Sequence, residues 1–403
     1  VADSAVNEIV IERLAFGGDG VGRLDGKVCF VPGAAPGDHL EISISEDRKN
    51  FCRGRIEKII QPAPTRIKPR CPLAGNGCPG CTYQHLTYDE EIRVKQHQLQ
   101  DLLQRMAGID PHRVVKPPIA SPVDYGYRNK LTLHAQATAE GMKLGYFMAD
   151  NKTVIDLPDC PLAAAEINQL LDEERHRASF REGLADGMNV TFRWTKAEKA
   201  LCWRNRPAAT QSCLHEETPC GEMLVPAGSF FQVNRAASGK LMEIVRDLLA
   251  VLQPQCFIDL YCGVGFFSRA AAAAGINQII GIESDPEAVK TATRNLKAYP
   301  QCHGRFITGK VEKTLALLSQ QTMPETTVLL VDPPRGGLDP EALRRTAALK
   351  LPHLIYVSCS PDTLCRDLKA LRAAGYELKS AQLVDMFPRT AHFETVTWLQ
   401  RHG

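Results

Sequence analysis

Two stretches near the end of the chain each set one reactive side chain at the tip of an apolar run. Val328-Leu329-Leu330-Val331 ends in Asp332-Pro333-Pro334-Arg335-Gly336-Gly337, and Leu354-Ile355-Tyr356-Val357 ends in Ser358-Cys359-Ser360-Pro361. Such runs read as buried parallel strands, and ligands of open α/β sheets gather at the carboxyl ends of their strands. A carboxylate, Asp332, and a thiol, Cys359, are thereby offered to one crevice. A thiol in that place is a candidate nucleophile. The competing reading is a small buried apolar side chain, the commoner state of an intracellular cysteine.

Upstream, Phe257-Ile258-Asp259-Leu260-Tyr261 runs into Cys262-Gly263-Val264-Gly265-Phe266-Phe267, and a second apolar run, Ile279-Ile280-Gly281-Ile282, ends in Glu283. Strand, glycine turn, helix, strand and terminal acid make a nucleoside-binding half-fold. Gly263 and Gly265 admit a ligand close to the backbone, and Glu283 can accept both ribose hydroxyls. The third glycine of a dinucleotide fingerprint is missing, so S-adenosylmethionine fits better than NAD. The alternative is a plain helix–strand packing turn.

A third group is built from sulfur. Cys71, Cys78 and Cys81 sit within one Gly/Pro loop, Cys71-Pro72-Leu73-Ala74-Gly75-Asn76-Gly77-Cys78-Pro79-Gly80-Cys81, and Cys160 lies in a similar Cys-Pro context further on. Thiolates on a rigid loop form metal-site architecture. Zinc competes with an iron–sulfur cluster as the occupant. The spacing departs from the CxxxCxxC loop of radical S-adenosylmethionine enzymes, which argues against radical chemistry.

The scaffold for these groups is legible in outline. A chain of 403 residues exceeds one ordinary core. Residues 1–62 alternate short apolar runs with turns such as Gly17-Gly18-Asp19-Gly20 and Pro36-Gly37-Asp38, the pattern of a small OB-like barrel. Its last strand opens a basic stretch: residues 48–70 hold eight Lys/Arg against one acid, Glu57, which suits a phosphate backbone or a solvated face. Gln61-Pro62-Ala63-Pro64 reads as a linker. Residues 87–107 predict a helix with a capping box at Thr87 and Glu90, an apolar face of Ile92, Leu99, Leu102, Leu103 and Met106, and a stop at Gly108. Residues 63–233 otherwise predict a β-rich central domain, with Tyr125, Tyr127, Arg128 and Lys130 mixing aromatics and cations as stacking on single-stranded nucleic acid requires. Residues 234–403 predict a doubly wound parallel sheet entered by an amphipathic helix through Leu241, Val245 and Leu249.

Net charge is +2, so no global field dictates a partner. Fourteen cysteines scattered without a signal peptide or a membrane-length apolar run predict a reducing, cytoplasmic setting and no membrane partner. The chain opens with Val1, which points to an alternative start or a few absent residues.

Several stretches together resemble one family. Ser229-Phe230-Phe231-Gln232-Val233-Asn234, Asp259 to Phe267, Asp332 to Arg335, Tyr356 to Pro361 and Met386-Phe387-Pro388-Arg389-Thr390-Ala391-His392-Phe393-Glu394 are similar to the RNA uracil-C5 methyltransferases. The resemblance implies a TRAM domain at the N-terminus, a [4Fe–4S] cluster on Cys71, Cys78, Cys81 and Cys160, and a C-terminal Rossmann-like methyltransferase domain. It implies Cys359 as nucleophile and Glu394 as base, and it makes Gln232, Tyr261, Glu283 and Asp332, with Gly263 and Gly265, cofactor or target-base positions. Its nearest branch methylates a uridine of large-subunit ribosomal RNA; a tRNA loop uridine is the alternative, and no obligate protein partner is implied. Two rival classes stand beside it. An exocyclic-amine N-methyltransferase would use the Asp-Pro-Pro loop but has no purpose for a Cys/Glu pair. A non-enzymatic RNA-binding iron–sulfur protein would need only barrel and cluster.

Overall fold

The structure is a computed structural model that describes residues 6–208, 213–318 and 323–402; Val1 lies outside them. Five strands, Asn7–Leu14 (β1), Gly20–Leu24 (β2), Lys27–Val31 (β3), His39–Asp47 (β4) and Phe51–Gln61 (β5), close into a barrel in the order β1-β2-β3-β5-β4. The Gly17-Gly18-Asp19-Gly20 stretch, which reads as turn in the sequence, overlaps the start of β2 at Gly20. The glycines of β2 are there for close packing: a Cβ on Gly22 would lie 2.5 Å from the Val10 carbonyl oxygen, and one on Gly20 2.7 Å from the Ala34 side chain. Ile9, Ile11, Val31, Leu40 and Ile42 fill the barrel, and Tyr83, Leu86 and Val94 close its end.

The basic stretch is less free than its composition suggests. Arg48 pairs with Glu46, Arg53 with Asp19, Arg55 with Glu57, Lys58 with Glu41, and Arg66 with the fully buried Asp38. Asp19, Asp38, Glu41 and Glu46 all lie outside residues 48–70, so a charge count along that stretch misses them.

The long helix Tyr88–Ala107 (α1) ends on Gly108 in the left-handed conformation (φ 62°), as expected. The capping box does not form. The Thr87 amide that Glu90 would have capped is donated instead to the Thr65 carbonyl at 2.8 Å, and Glu90 turns to Arg93. Leu99 and Leu103 are buried as predicted, but Met106 is exposed. The buried face also carries Glu91, Lys95 and Gln98, which no apolar periodicity reveals. After the short helix Pro111–Val114 (α2) comes a five-stranded sheet. It is made of Lys130–Thr138 (β6), Gly141–Phe147 (β7), Val154–Asp156 (β8), Asn189–Thr195 (β9) and Lys199–Arg204 (β10), in the order β10-β9-β6-β7-β8. Helices Ala165–His176 (α3) and Ala178–Glu182 (α4) cover it. The hairpin Cys213–Thr218 (β11) and Gly221–Pro226 (β12) follows, and Met223 and Val225 pack into the core of the last sheet.

That last sheet is seven-stranded. Helix Arg235–Leu252 (α5), capped by the Asn234 side chain, leads into Cys256–Leu260 (β13). Then come Phe266–Ala273 (α6), Gln278–Glu283 (β14), Pro286–Leu296 (α7), His303–Thr308 (β15), Val311–Leu318 (α8), Thr327–Val331 (β16), Pro340–Ala348 (α9), His353–Ser358 (β17), Pro361–Ala373 (α10), Tyr376–Val384 (β18) and Glu394–Arg401 (β19). The order is β15-β14-β13-β16-β17-β19-β18, with β19 the strand that runs against its neighbours on both sides. Strand order reverses between β13 and β16, so the crevice of a doubly wound sheet opens at their carboxyl ends. Helix α1 adds Leu99, Leu103 and Ala107 to this core, which binds it to the catalytic sheet rather than to the β-rich layer that follows it in sequence.

Candidate active site

Asp332 follows β16 and Cys359 follows β17, two parallel neighbours whose five and six residues are almost wholly buried. The Asp332 amide donates to the Leu260 carbonyl at 3.3 Å, holding the Asp-Pro-Pro loop beside the end of β13. The loop then turns at Gly337 (φ 75°) and is tied to α10, where the Thr363 hydroxyl donates to the Arg335 carbonyl at 3.1 Å and Arg366 to the Gly336 carbonyl at 3.0 Å. Glu394 opens β19. Ser358 lies opposite Thr395 in the β17–β19 ladder, so the next step outward sets Cys359 against Glu394.

The electrostatics follow from this proximity. Burial first, then the negative charges of Glu394 and Asp332, push the Cys359 thiol up to about 12, while Arg335 pulls it down. Burial and then Asp332 hold the Glu394 carboxyl well above its ordinary range, again opposed by Arg335. Burial and then Asp259 raise Asp332 to about 8. Glu394 is 5% exposed and its Oε2 has no hydrogen-bond partner in the structure, whereas Cys359 stays half-buried and reachable. Arg335 is a cation that acts on both the thiol and the acid. In the sequence Arg335 is only the residue after Asp332-Pro333-Pro334, because the sheet that brings it to Cys359 is not visible in one dimension.

The glycine turn has the backbone a close ligand demands. Gly263 (φ 52°) and Gly265 (φ 83°) are left-handed, and so is Tyr261 (φ 63°), a strained state for a residue with a Cβ. Glu283 ends β14; its Oε1 accepts from the Ser284 and Asp285 amides at 2.6 and 2.9 Å, and its Oε2 from the Gly263 amide at 3.2 Å. The acid and the turn therefore form one rigid cradle. Gln232 is 6% exposed, and its carbonyl accepts from Asn129 at 3.3 Å. The Ser229 hydroxyl donates to Asp285 at 3.2 Å, joining the same segment to the cofactor strand. Asp259, fully buried, accepts from the Ser268 hydroxyl at 2.6 Å, and burial lifts it to about 7.

The four expected cysteines converge elsewhere. Cys71, Cys78, Cys81 and Cys160 line one cavity of about 240 Å³ together with Gln84, Arg128 and Tyr146. Gln84 braces it, accepting from the Cys71 amide at 2.9 Å. Among the described residues, no group of His, Cys, Asp or Glu side chains closes to the spacing of a single bound metal ion.

Doubly wound sheet, strand-end acid and glycine turn define a class I methyltransferase domain, here joined to a small barrel. Residues 314–402 match the tRNA (Uracil-5-)-methyltransferase family, residues 5–56 the TRAM domain, and residues 254–349 the RNA cap guanine-N2 methyltransferase family. An RNA methyltransferase of Gloeobacter violaceus is 32% identical, covering 98% of this chain and 96% of its own. One of Halalkalibacterium halodurans is 30% identical over 98% and 97%. The 23S rRNA (uracil(1939)-C(5))-methyltransferase of Photobacterium profundum is 28% identical over 98% and 94%. The fold is shared with the Pyrococcus abyssi tRNA (uracil-54, C5)-methyltransferase crystallised with S-adenosyl-L-homocysteine, at a TM-score of 0.71 and 24% identity, covering 98% of this chain and 100% of that one. The chain belongs to the TRAM-containing RNA methyltransferases of the uracil-C5 type. No helix among the described residues is long and apolar enough to cross a membrane.

Proposed function

We propose that this enzyme methylates C5 of one uridine in large-subunit ribosomal RNA through a covalent bond between Cys359 and C6 of the base. The reading is carried by the positions of Cys359 and Glu394, each one step beyond the Ser358–Thr395 pair that ends the β17–β19 ladder, with the acid close enough for its charge to raise the thiol. Uracil C5 is too weak a nucleophile to take a methyl group unaided. When the Cys359 sulfur adds to C6, the C5–C6 electron pair moves into an enolate and C5 gains carbanion character. The bound co-substrate, S-adenosylmethionine, supplies an electrophilic methyl group on a sulfonium. Once C5 carries that methyl, Glu394 takes the C5 proton, the electron pair returns to C5–C6, and the C6–sulfur bond breaks to free the thiolate. Arg335 favours the thiolate and the ionised acid. Asp332 hydrogen-bonds the uracil edge or the co-substrate. Gly263, Gly265, Tyr261, Glu283 and Gln232 cradle the nucleoside of the co-substrate. The target base leaves any stack to reach the crevice, so an unpaired loop is the substrate. The barrel contacts the RNA.

The cysteine cavity, about 240 Å³ and lined by all four thiols, is read as the place of a [4Fe–4S] cluster, with zinc the competing occupant. Cys71, Cys78, Cys81 and Cys160 would hold the cluster, whose contribution is structural because methyl transfer moves no electrons to it. The rRNA target rests on the Photobacterium relative; the tRNA reading rests on the family matching residues 314–402. Methylating unmodified ribosomal and transfer RNA with methyl-labelled co-substrate, then identifying the nucleoside, tests the assignment. 5-Methyluridine in ribosomal RNA is expected; an N-methylated nucleoside would reject the C5 reading, and label confined to tRNA would reject the target.

A further inference from the structure

The turn that delivers Glu394 is held from a distance by a buried charged network on α1. Lys95 is fully buried, and its Nζ lies 2.7 Å from Glu91 Oε1 and 2.8 Å from Asp385 Oδ1 and donates to the Phe387 carbonyl at 3.2 Å. The Tyr88 hydroxyl donates to the other oxygen of Asp385 at 2.9 Å. Glu91 accepts the Arg389 amide at 2.7 Å, and the Arg389 guanidinium pairs with Asp124 and donates to the Leu86 carbonyl. Arg389 itself is left-handed (φ 68°), a strained conformation for a residue with a Cβ that persists only where its surroundings over-determine it. They do so here: its carbonyl is also taken, by the Thr82 amide at 2.8 Å and the Tyr83 amide at 3.0 Å. Every polar group of this strained residue's backbone is therefore claimed by α1 or by the segment just after Cys81.

Packing alone does not account for such a network. A buried ion pair is often no more stabilising than apolar side chains of the same volume, and its best use is to fix one geometry among several. The geometry fixed here is that of residues 385–389, five residues before Glu394. We infer that Lys95, with Glu91, Asp385 and Tyr88, is a positioning residue for the base, setting Glu394 for removal of the C5 proton rather than for addition of the thiol. The inference rests on the covalent reading above. Among the described residues the hydrogen bonds and ion pairs of Lys95, Glu91, Asp385 and Tyr88 do not reach β17 or α10, and α1 meets α10 only further along, through Leu99 and Leu103, so the network bears on the Glu394 side of the site.

The test compares Lys95→Met and the milder Tyr88→Phe with wild type on two substrates. The first is an unmodified large-subunit rRNA transcript; the second is the same transcript containing 5-fluorouridine, in which the fluorine cannot be removed as a proton and the reaction halts at the adduct. Turnover on the uridine transcript should fall about 10- to 100-fold in Lys95→Met, as expected of a misplacement near 1 Å. Methylated RNA should accumulate linked to the protein, and adduct formation on the fluorinated transcript should change less than about threefold on the same reasoning. Tyr88→Phe should show the same split, smaller. If turnover and adduct formation fall together in Tyr88→Phe, or if no methylated adduct accumulates in either variant, the positioning role is wrong. If wild type itself forms no adduct on the fluorinated transcript, the covalent reading fails instead.

Discussion

Cys359 and Glu394 lie close together because Ser358 is paired with Thr395 across two antiparallel strands, one residue further in. The pairing explains why a thiol and an acid far apart in sequence share one crevice, and why the acid's charge raises the proton affinity of the thiol. Replacing Glu394 with Gln keeps the shape and removes the base. Turnover should drop roughly 10²- to 10⁴-fold, the usual contribution of a positioned base, while protein-linked methylated RNA builds up on a denaturing gel. Product release at the wild-type rate would move the base elsewhere.

The pH profile follows from the crowding of acids. Cys359 is raised to about 12 and Asp332 to about 8, and Glu394 lies above its ordinary range. The thiol and the base must both lose protons to work, so kcat/KM should climb from pH 6 through pH 9. A profile that is flat or falling above pH 7 would contradict the assignment of these groups.

Stability should move the other way. Asp259 is fully buried and raised to about 7 from an ordinary value of 3.8. Between those values the folded chain keeps a proton that the unfolded chain releases, so unfolding free energy falls as pH rises. Asp259→Asn should be the more stable protein at pH 8, by on the order of 1–3 kcal/mol, and nearly equal to wild type at pH 4. Calorimetric melting at the two pH values checks this; an asparagine variant less stable at pH 8 would show that the ionised carboxylate has an unseen favourable partner.

The cysteine cavity makes a prediction that does not involve turnover. Anaerobically purified wild type should carry about four iron atoms per chain and the broad visible absorbance of a thiolate cluster. Cys81→Ser should lose both and still bind the methyl donor, measured by titration calorimetry. Stoichiometric zinc with no iron would replace the cluster assignment.

Much of this was legible in the chain, and the misses share a cause. β16 and β17 announce themselves as unbroken apolar runs because both their faces are covered by helices. Gly263 and Gly265 sit in a strand-to-helix turn that few other uses would require. By contrast, β2 was mistaken in part for turn because Gly20 and Gly22 mark close packing rather than a bend. The buried charges of α1 were invisible because Glu91 and Lys95 find their partners, Arg389 and Asp385, across most of the chain. The capping box at Thr87 failed for a similar reason: a distant carbonyl, that of Thr65, took the donor first. Local pattern predicts what neighbours in sequence decide, and it fails where the partner comes from another element.

The covalent bond to Cys359 is tested most directly by incubating the enzyme and S-adenosylmethionine with a 5-fluorouridine-containing rRNA transcript and mapping the linked peptide by mass spectrometry. The account predicts a complex that survives denaturation, with the nucleotide on the peptide containing Cys359, and none in Cys359→Ala, which still binds the methyl donor. Normal 5-methyluridine formation on the ordinary transcript, with no covalent complex on the fluorinated one or with the link at another residue, would contradict it.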